Sequence, residues 1–175
     1  MLTSYLNRLH FMTDNIAYLL LGGNMGDRAA LLAQAATLIT EQLGTVIKKS
    51  AVYETAAWGN EALPGYLNQA LMVSTKLSAP ETLKVIQEIE HILGRQRIEK
   101  WGSRTMDIDI IFFNEDIITQ EGLLIPHPHM QERNFVLVPL QEIAPTYIHP
   151  VSGLSITELQ QRSKDHLKVY ALPGN

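Results

Sequence analysis

Apolar positions change their period several times along the chain, and each change marks an element. Residues 16–21 form an unbroken apolar run closed by Gly22 and Gly23, the pattern of a buried strand entering a tight turn. Beyond Asp27, a residue suited to capping, Leu31, Leu32, Ala35, Leu38, Ile39 and Leu43 recur at helical spacing until Gly44. Residues 45–53 and 66–76 are rich in β-branched and aromatic side chains, and the second stretch alternates cleanly between two faces. Ser78, Pro80 and Glu81 combine a capping box with an early helical proline, after which Leu83, Ile86, Ile89 and Leu93 repeat as far as Gly94. Residues 105–113 read as a strand once more.

The order is therefore β-α-β-β-α-β, which predicts an α+β fold with a ferredoxin-like core and an antiparallel-rich sheet. Both helices of that order cover one sheet face, so the rest of the chain must cover or border the other. Residues 135–143 look helical apart from Pro139, Ser155 with Glu158 is a second capping box, and residues 166–172 suit an edge strand. The C-terminal third thus adds helices and one strand. No internal repeat or low-complexity tract interrupts residues 16–175, which are expected to form a single domain. Residues 1–15 read as a disordered extension; Arg8 and His10 ahead of Asp14 make only a weak organelle-targeting pattern, and since Met12 sits just before the first strand, the residues ahead of it also suit a tag, a linker or an upstream start codon.

Composition narrows the function. The chain has 175 residues, enough for one sizeable core, with 46% hydrophobic and 18% charged positions. Its net charge of -4 disfavours a nonspecific nucleic-acid coat or a polybasic membrane anchor, so an anionic ligand must be held locally. The absence of cysteine excludes disulfides, thiolate zinc sites, iron–sulfur clusters and cysteine nucleophiles. No apolar stretch approaches the ~20 residues of a membrane span. A cytoplasmic protein is expected.

The chemistry concentrates in residues 101–111, where Asp107 and Asp109 stand two apart within an apolar strand. That spacing puts both carboxylates on one face, while Ile108, Ile110 and Phe112 are expected to point into a core on the other. Converging acids repel unless a cation neutralises them, and magnesium, which takes a few carboxylate oxygens at about 2.1 Å and fills its octahedron with water and phosphate oxygens, suits the pair. A solvated face paired with arginine is the plainer reading of Asp-x-Asp. Arg95, Arg97, Lys100 and Arg104 crowd the preceding segment, opposed there only by Glu99. Paired acids beside a cationic loop are what phosphoryl transfer from a nucleotide requires. The glycine-containing segment 22–28 lacks the lysine and spacing of a P-loop and is not G-x-G-x-x-G, so it reads as a structural turn. Tyr66 and Asn68 share a strand face, an aromatic plane beside an amide that suits a flat heterocycle or simply packs. His127 and His129, followed by Arg133 and Phe135, add imidazoles, a guanidinium and a second ring.

Taken in order, Gly22-Gly23-Asn24-Met25-Gly26-Asp27, Tyr53-Glu54-Thr55, Tyr66-Leu67-Asn68, Gly94-Arg95-Gln96-Arg97, residues 101–111, Ile125-Pro126-His127-Pro128-His129 and Arg133-Asn134-Phe135-Val136-Leu137 resemble the 6-hydroxymethyl-7,8-dihydropterin pyrophosphokinase family. Departures are Gly23 where serine is common, Ala56 where proline is frequent, and a variable stretch between Arg97 and Trp101. The resemblance implies transfer of the β,γ-pyrophosphoryl group of ATP to the hydroxymethyl group of the dihydropterin, giving AMP and the pterin pyrophosphate in folate biosynthesis. It implies two magnesium ions on Asp107 and Asp109, and a pterin between Tyr66 and Phe135 with Asn68 and Thr55 at its edge. It assigns Arg95 and Arg104 to transfer, and Arg97, Lys100, His127 and Arg133 to positions near the phosphates. Gln87, Glu90 and Ile110 border the nucleotide, and Trp101 belongs to a closing loop. A stand-alone monomer binding ATP and the pterin, with no nucleic acid or membrane partner, is implied. No general base is evident; the hydroxyl proton would pass to solvent or to Asp109.

Other readings remain at this point. Asp107, Asp109, His127 and His129 also suit metal-dependent phosphoester hydrolysis, and a pterin- or nucleotide-binding module without turnover would keep the same pocket.

Overall fold

A strand apolar on both faces belongs inside a sheet. Strand β1 (Asn15–Gly23) takes that place, with Ala17, Leu19 and Leu21 buried toward one side and Tyr18 and Leu20 toward the other. The computed structural model describes residues 14–56, 65–94 and 105–173. From β1 the chain runs through helix α1 (Arg28–Gln42) to the short strands β2 (Thr45–Lys49) and β3 (Tyr53–Thr55). Strand β4 (Tyr66–Thr75), helix α2 (Ala79–Ile92) and strand β5 (Asp107–Phe113) complete the expected order. Antiparallel pairing places β4 and β5 on either side of β1, and β2 and β3 both lie along the outer edge of β4. This is the ferredoxin-like arrangement.

The caps predicted for α1 and α2 form. Asp27 Oδ1 accepts the Ala30 amide at 3.1 Å, and Glu81 Oε2 accepts the amide and hydroxyl of Ser78 at 2.8 and 2.6 Å. Helices α1 and α2 bury Leu32, Ile39, Ile86 and Ile89 against the Ala17, Leu19 and Leu21 face.

The opposite face is covered by a 3₁₀ turn (Met130–Glu132) and helices α3 (Asn134–Ile143) and α4 (Ile156–Arg162), with Val136, Leu137 and Leu140 packed on Leu20 and Ala70. Pro139 lies inside α3, costing it one hydrogen bond without ending it. Strand β8 (Val169–Ala171) pairs with β3 as the expected edge strand.

Three details differ from the sequence pattern. The stretch 45–53 is two strands: the register slips between Val46 and Lys48, and the ladder is interrupted after Lys49, where Ser50 Oγ accepts the Ala70 amide at 3.0 Å. A hairpin, β6 (Ile118–Gln120) and β7 (Leu123–Ile125), follows β5; strands of three residues are too short to show alternation. Phe112 does not join Ile108 and Ile110. Pairing along β5 passes from Tyr18↔Phe112 to Leu19↔Ile110, leaving Ile111 as the extra residue of a bulge. Phe112 therefore turns to the α3 side and meets Tyr18 and Tyr147 with ring centroids 6.0 and 4.4 Å away.

Candidate functional site

The sheet register assembles the site. Tyr53 pairs with Asn68, Asn68 with Gly22, and Gly22 with Asp107, so one row crosses β3, β4, β1 and β5. Two rows along, Ala70, Leu20 and Asp109 are partners, and Thr55 pairs with Tyr66 beyond Asn68. Laterally paired residues share a sheet face, so Thr55, Tyr66, Asn68, Asp107 and Asp109 all lie on the side covered by α3. Two strand spacings put Asn68 and Asp107 about 10 Å apart along that row.

Gly22 is what joins the two halves. It lies within β1, not in a turn, and a Cβ on it would stand 2.9 Å from Asn68 Oδ1. The missing side chain leaves room for the Asn68 amide to lean across β1 toward β5. Asn68 Nδ2 donates to Thr55 Oγ1 at 3.3 Å, and both residues are 3% exposed. A buried amide held by one neighbour keeps a fixed hydrogen-bonding edge.

The acid-bearing strand is braced from both sides. Glu90 of α2 is 4% exposed, and its Oε1 accepts the amide of Ile108, between the two aspartates, at 2.8 Å. Gln87, one turn earlier, is exposed. His127 donates its backbone amide to Ile111 O at 3.0 Å. Its buried Nδ1 has no partner among the described residues. Burial, then the nearby Arg133 and His129, push its pKa down to about 4 against the pull of Asp107, so its imidazole is neutral near pH 7. His127, Arg133 and Asp107 thus share one electrostatic neighbourhood. Arg133 Cζ sits 5.7 Å from the centroid of Phe135, which packs on the apolar cluster of that face. His129 is exposed, with Nδ1 3.6 Å from Glu132.

Ile110 is not on this face; its side chain is buried under α1 and α2, so only its backbone borders the acids. Arg95, Arg97, Lys100, Trp101 and Arg104 lie outside the described residues. Among the described residues no group of three or more His, Asp or Glu forms a ready-made metal cage. A groove of about 760 Å³ lined by Gln131, Glu132, Arg162, Asp165 and neighbouring residues includes none of the predicted site residues.

Two residues to which the sequence pattern gives no role in the site border it. Arg28 binds Glu54, beside Thr55, and Asp165 holds Asn134, beside Phe135. Their partners lie 26 and 31 residues away in sequence, so no local pattern marks them.

A family model described as 7,8-dihydro-6-hydroxymethylpterin-pyrophosphokinase (HPPK) matches residues 18–145, a span holding every one of these predicted site residues. The chain belongs to that pyrophosphokinase family. Among curated relatives of the HPPK family, the 2-amino-4-hydroxy-6-hydroxymethyldihydropteridine pyrophosphokinase of Bacillus subtilis is 47% identical over 131 residues, 74% of this chain and 78% of the relative. The protein of that name from Haemophilus influenzae is 37% identical over 158 residues, 90% of this chain and 98% of the relative. In structure, a Plasmodium falciparum HPPK-DHPS chain aligns at a TM-score of 0.68 and 20% identity over 85% of this chain. This chain spans 43% of that longer one, and the likeness shows the HPPK fold.

Proposed function

We propose that the sheet end crossed by Asn68, Gly22 and Asp107 is where this chain performs its family's reaction, ATP-dependent pyrophosphoryl transfer to hydroxymethyldihydropterin in folate biosynthesis. The register carries the reading: it sets an amide suited to a heterocycle edge and a pair of acids suited to a polyphosphate on one face, with a glycine between them. Thr55 and Asn68 hydrogen-bond the pterin edge, and Tyr66 and Phe135 supply its two faces. Their preset geometry lowers the ordering cost of binding a flat ring.

Asp107 and Asp109 would hold magnesium. The fit rests on the donor set: hard oxygen ligands only, half-buried, and too few for a protein cage, which suits an ion that arrives coordinated by phosphates. Magnesium held there would neutralise charge on the triphosphate. Arg133 and the neutral imidazole of His127 face the same region as donors to phosphate, with Gln87, Arg97, Lys100, Trp101 and the Ile110 backbone bordering the nucleotide. The buried Glu90 contributes by fixing the Ile108 amide, and hence the spacing of the two acids.

The pterin hydroxyl oxygen attacks the β-phosphorus, the bond from that phosphorus to the bridging oxygen of the α-phosphate breaks, and AMP departs with that oxygen. Arg95 and Arg104 offset the charge that develops, and the hydroxyl proton passes to solvent or to Asp109. Positioning and charge stabilisation supply most of the rate, with no covalent enzyme intermediate. All these groups come from one chain, so a monomer suffices, and dependence on ATP suits the cytoplasm. No helix among the described residues is long and apolar enough to cross a membrane.

Product analysis tests the reading. AMP and pterin pyrophosphate should form together, only when the hydroxymethyl pterin is present, and both should disappear in Asn68→Ala and Asp109→Ala. Release of AMP or phosphate without acceptor would replace transfer by hydrolysis.

A further inference from the structure

Arg28, the first residue of α1, crosses to the rim of the site. Its Nη1 donates to Glu54 Oε1 at 2.7 Å and to the Gly65 carbonyl at 2.5 Å. Glu54 immediately precedes Thr55, and Gly65 immediately precedes Tyr66; Thr55 and Tyr66 are the last pair of the β3–β4 ladder. One guanidinium therefore holds the end of β3 and the start of β4 together. The two strands meet closely there: a Cβ on Gly65 would lie 2.7 Å from Thr55 O and 3.3 Å from Glu54 Oε1. Strand β3 has only three residues, and terminal ladder pairs open most readily.

We propose that Arg28 is a positioning residue for the heterocycle-binding edge, fixing Thr55 and Tyr66 and, through the Thr55 hydroxyl, the Asn68 amide. This rests on the reading of that edge as the pterin site. The clamp is an ion pair with side chains 28% and 39% exposed, a class that adds little to global stability. Its effect falls on local geometry. Since Asp107 and Asp109 lie beyond β1, two strands away from the clamped ends, nucleotide binding does not depend on it.

Steady-state kinetics with each substrate varied in turn, alongside melting temperatures, test the clamp on Arg28→Ala, Arg28→Lys, Glu54→Gln and Asn68→Ala. Arg28→Ala should raise the KM for the pterin about tenfold, the loss expected for a charge-assisted hydrogen bond, with the KM for ATP unchanged. Arg28→Lys, whose ammonium has donors for both oxygens, should recover most of it, and Glu54→Gln should show a smaller rise of the same selectivity. An unchanged pterin KM in Arg28→Ala overturns the clamp. So does a rise in both KM values that tracks a falling melting temperature. If Arg28→Ala does not fold, the selective rise in Glu54→Gln decides in the same way. Loss of pterin binding in Asn68→Ala with none in the clamp variants leaves the site reading standing and removes only Arg28's role. No loss in Asn68→Ala brings down both.

Discussion

Asp165 caps α3 from another part of the chain: its Oδ2 accepts the Asn134 amide at 2.8 Å, and its backbone carbonyl accepts from Asn134 Nδ2 at 2.6 Å. Arg133, at the N-cap position, makes no side-chain cap of its own. The segment after α4 therefore sets the entry of the helix that presents Arg133 and Phe135. Removing the carboxylate in Asp165→Ala should cost about 1–2 kcal/mol, in the range of lost N-caps. It should also weaken pterin binding more than a distant substitution of equal cost, because Phe135 follows the capped residue. Asp165→Asn keeps an acceptor but loses the favourable charge at the helix N-terminus, so it should fall between the two. Denaturant unfolding and pterin titration on the same variants separate the effects.

The close approach at Gly22 gives a sharper test. A methyl group there would stand 2.9 Å from Asn68 Oδ1, and the backbone on either side is held by paired strands. In Gly22→Ala the amide must swing away and release Thr55, or the strands must part. We expect a loss of about 1–3 kcal/mol in stability, the usual penalty for overpacking. Pterin affinity should drop by at least tenfold, because the donor and acceptor edge is displaced. Combining Gly22→Ala with Asn68→Ala should relieve the stability loss without restoring affinity. Melting curves and pterin fluorescence titrations of the single and double variants supply the comparison.

Much of this arrangement is legible in the chain itself, where a single element decides it. The alternation that places Asp107 and Asp109 on one face, the caps at Asp27 and Ser78, and the helical period of α2 are all local and all present. Phe112 departs from that alternation because a bulge at Ile111 shifts the phase of β5, and a bulge is fixed by the partner strand. Glu90 is similar: its place in the helix marks it as near the core, but its partner, the Ile108 amide, belongs to a strand 18 residues on. Gly22 reads as a turn because glycine usually punctuates; its role depends on a side chain from β4. What the local pattern does not show depends on contacts between elements.

His149 supplies a pH dependence away from the site. It is 6% exposed, and its Nδ1 accepts the amides of Val151 and Ser152, each at 3.2 Å, so protonation there breaks both bonds. Burial holds its pKa below the ordinary 6.5, and the half-buried His127 is shifted in the same direction. A group whose folded pKa is lowered takes up its proton first in the unfolded chain. The stability it contributes is complete above pH 6.5 and is lost as pH falls from there toward the folded value. The midpoint of urea unfolding should therefore decline steadily below about pH 6.5. His149→Gln should be less stable at neutral pH, and its midpoint should decline less steeply on acidification. An equal slope in wild type and variant would assign the acid sensitivity elsewhere.

The acid pair makes the demand on metal that most directly divides nucleotide binding from pterin binding. If Asp107 and Asp109 hold magnesium with the triphosphate, a chelator should abolish AMP formation and added magnesium should restore it. Nucleotide affinity should then rise with magnesium in the wild type and become nearly independent of it in Asp109→Asn, since an amide oxygen is a poorer ligand and leaves one negative charge fewer. Turnover in Asp109→Asn should fall at least a hundredfold, on the order of the loss when a single charge-stabilising contact is removed from an active site. Pterin affinity, measured without nucleotide, should stay within about twofold of wild type, because Asn68 and Thr55 keep their hydrogen bond on the far side of β1. Calorimetric titration of each substrate with and without magnesium reads all of these quantities. A magnesium-dependent nucleotide affinity that persists unchanged in Asp109→Asn would move the metal off this strand.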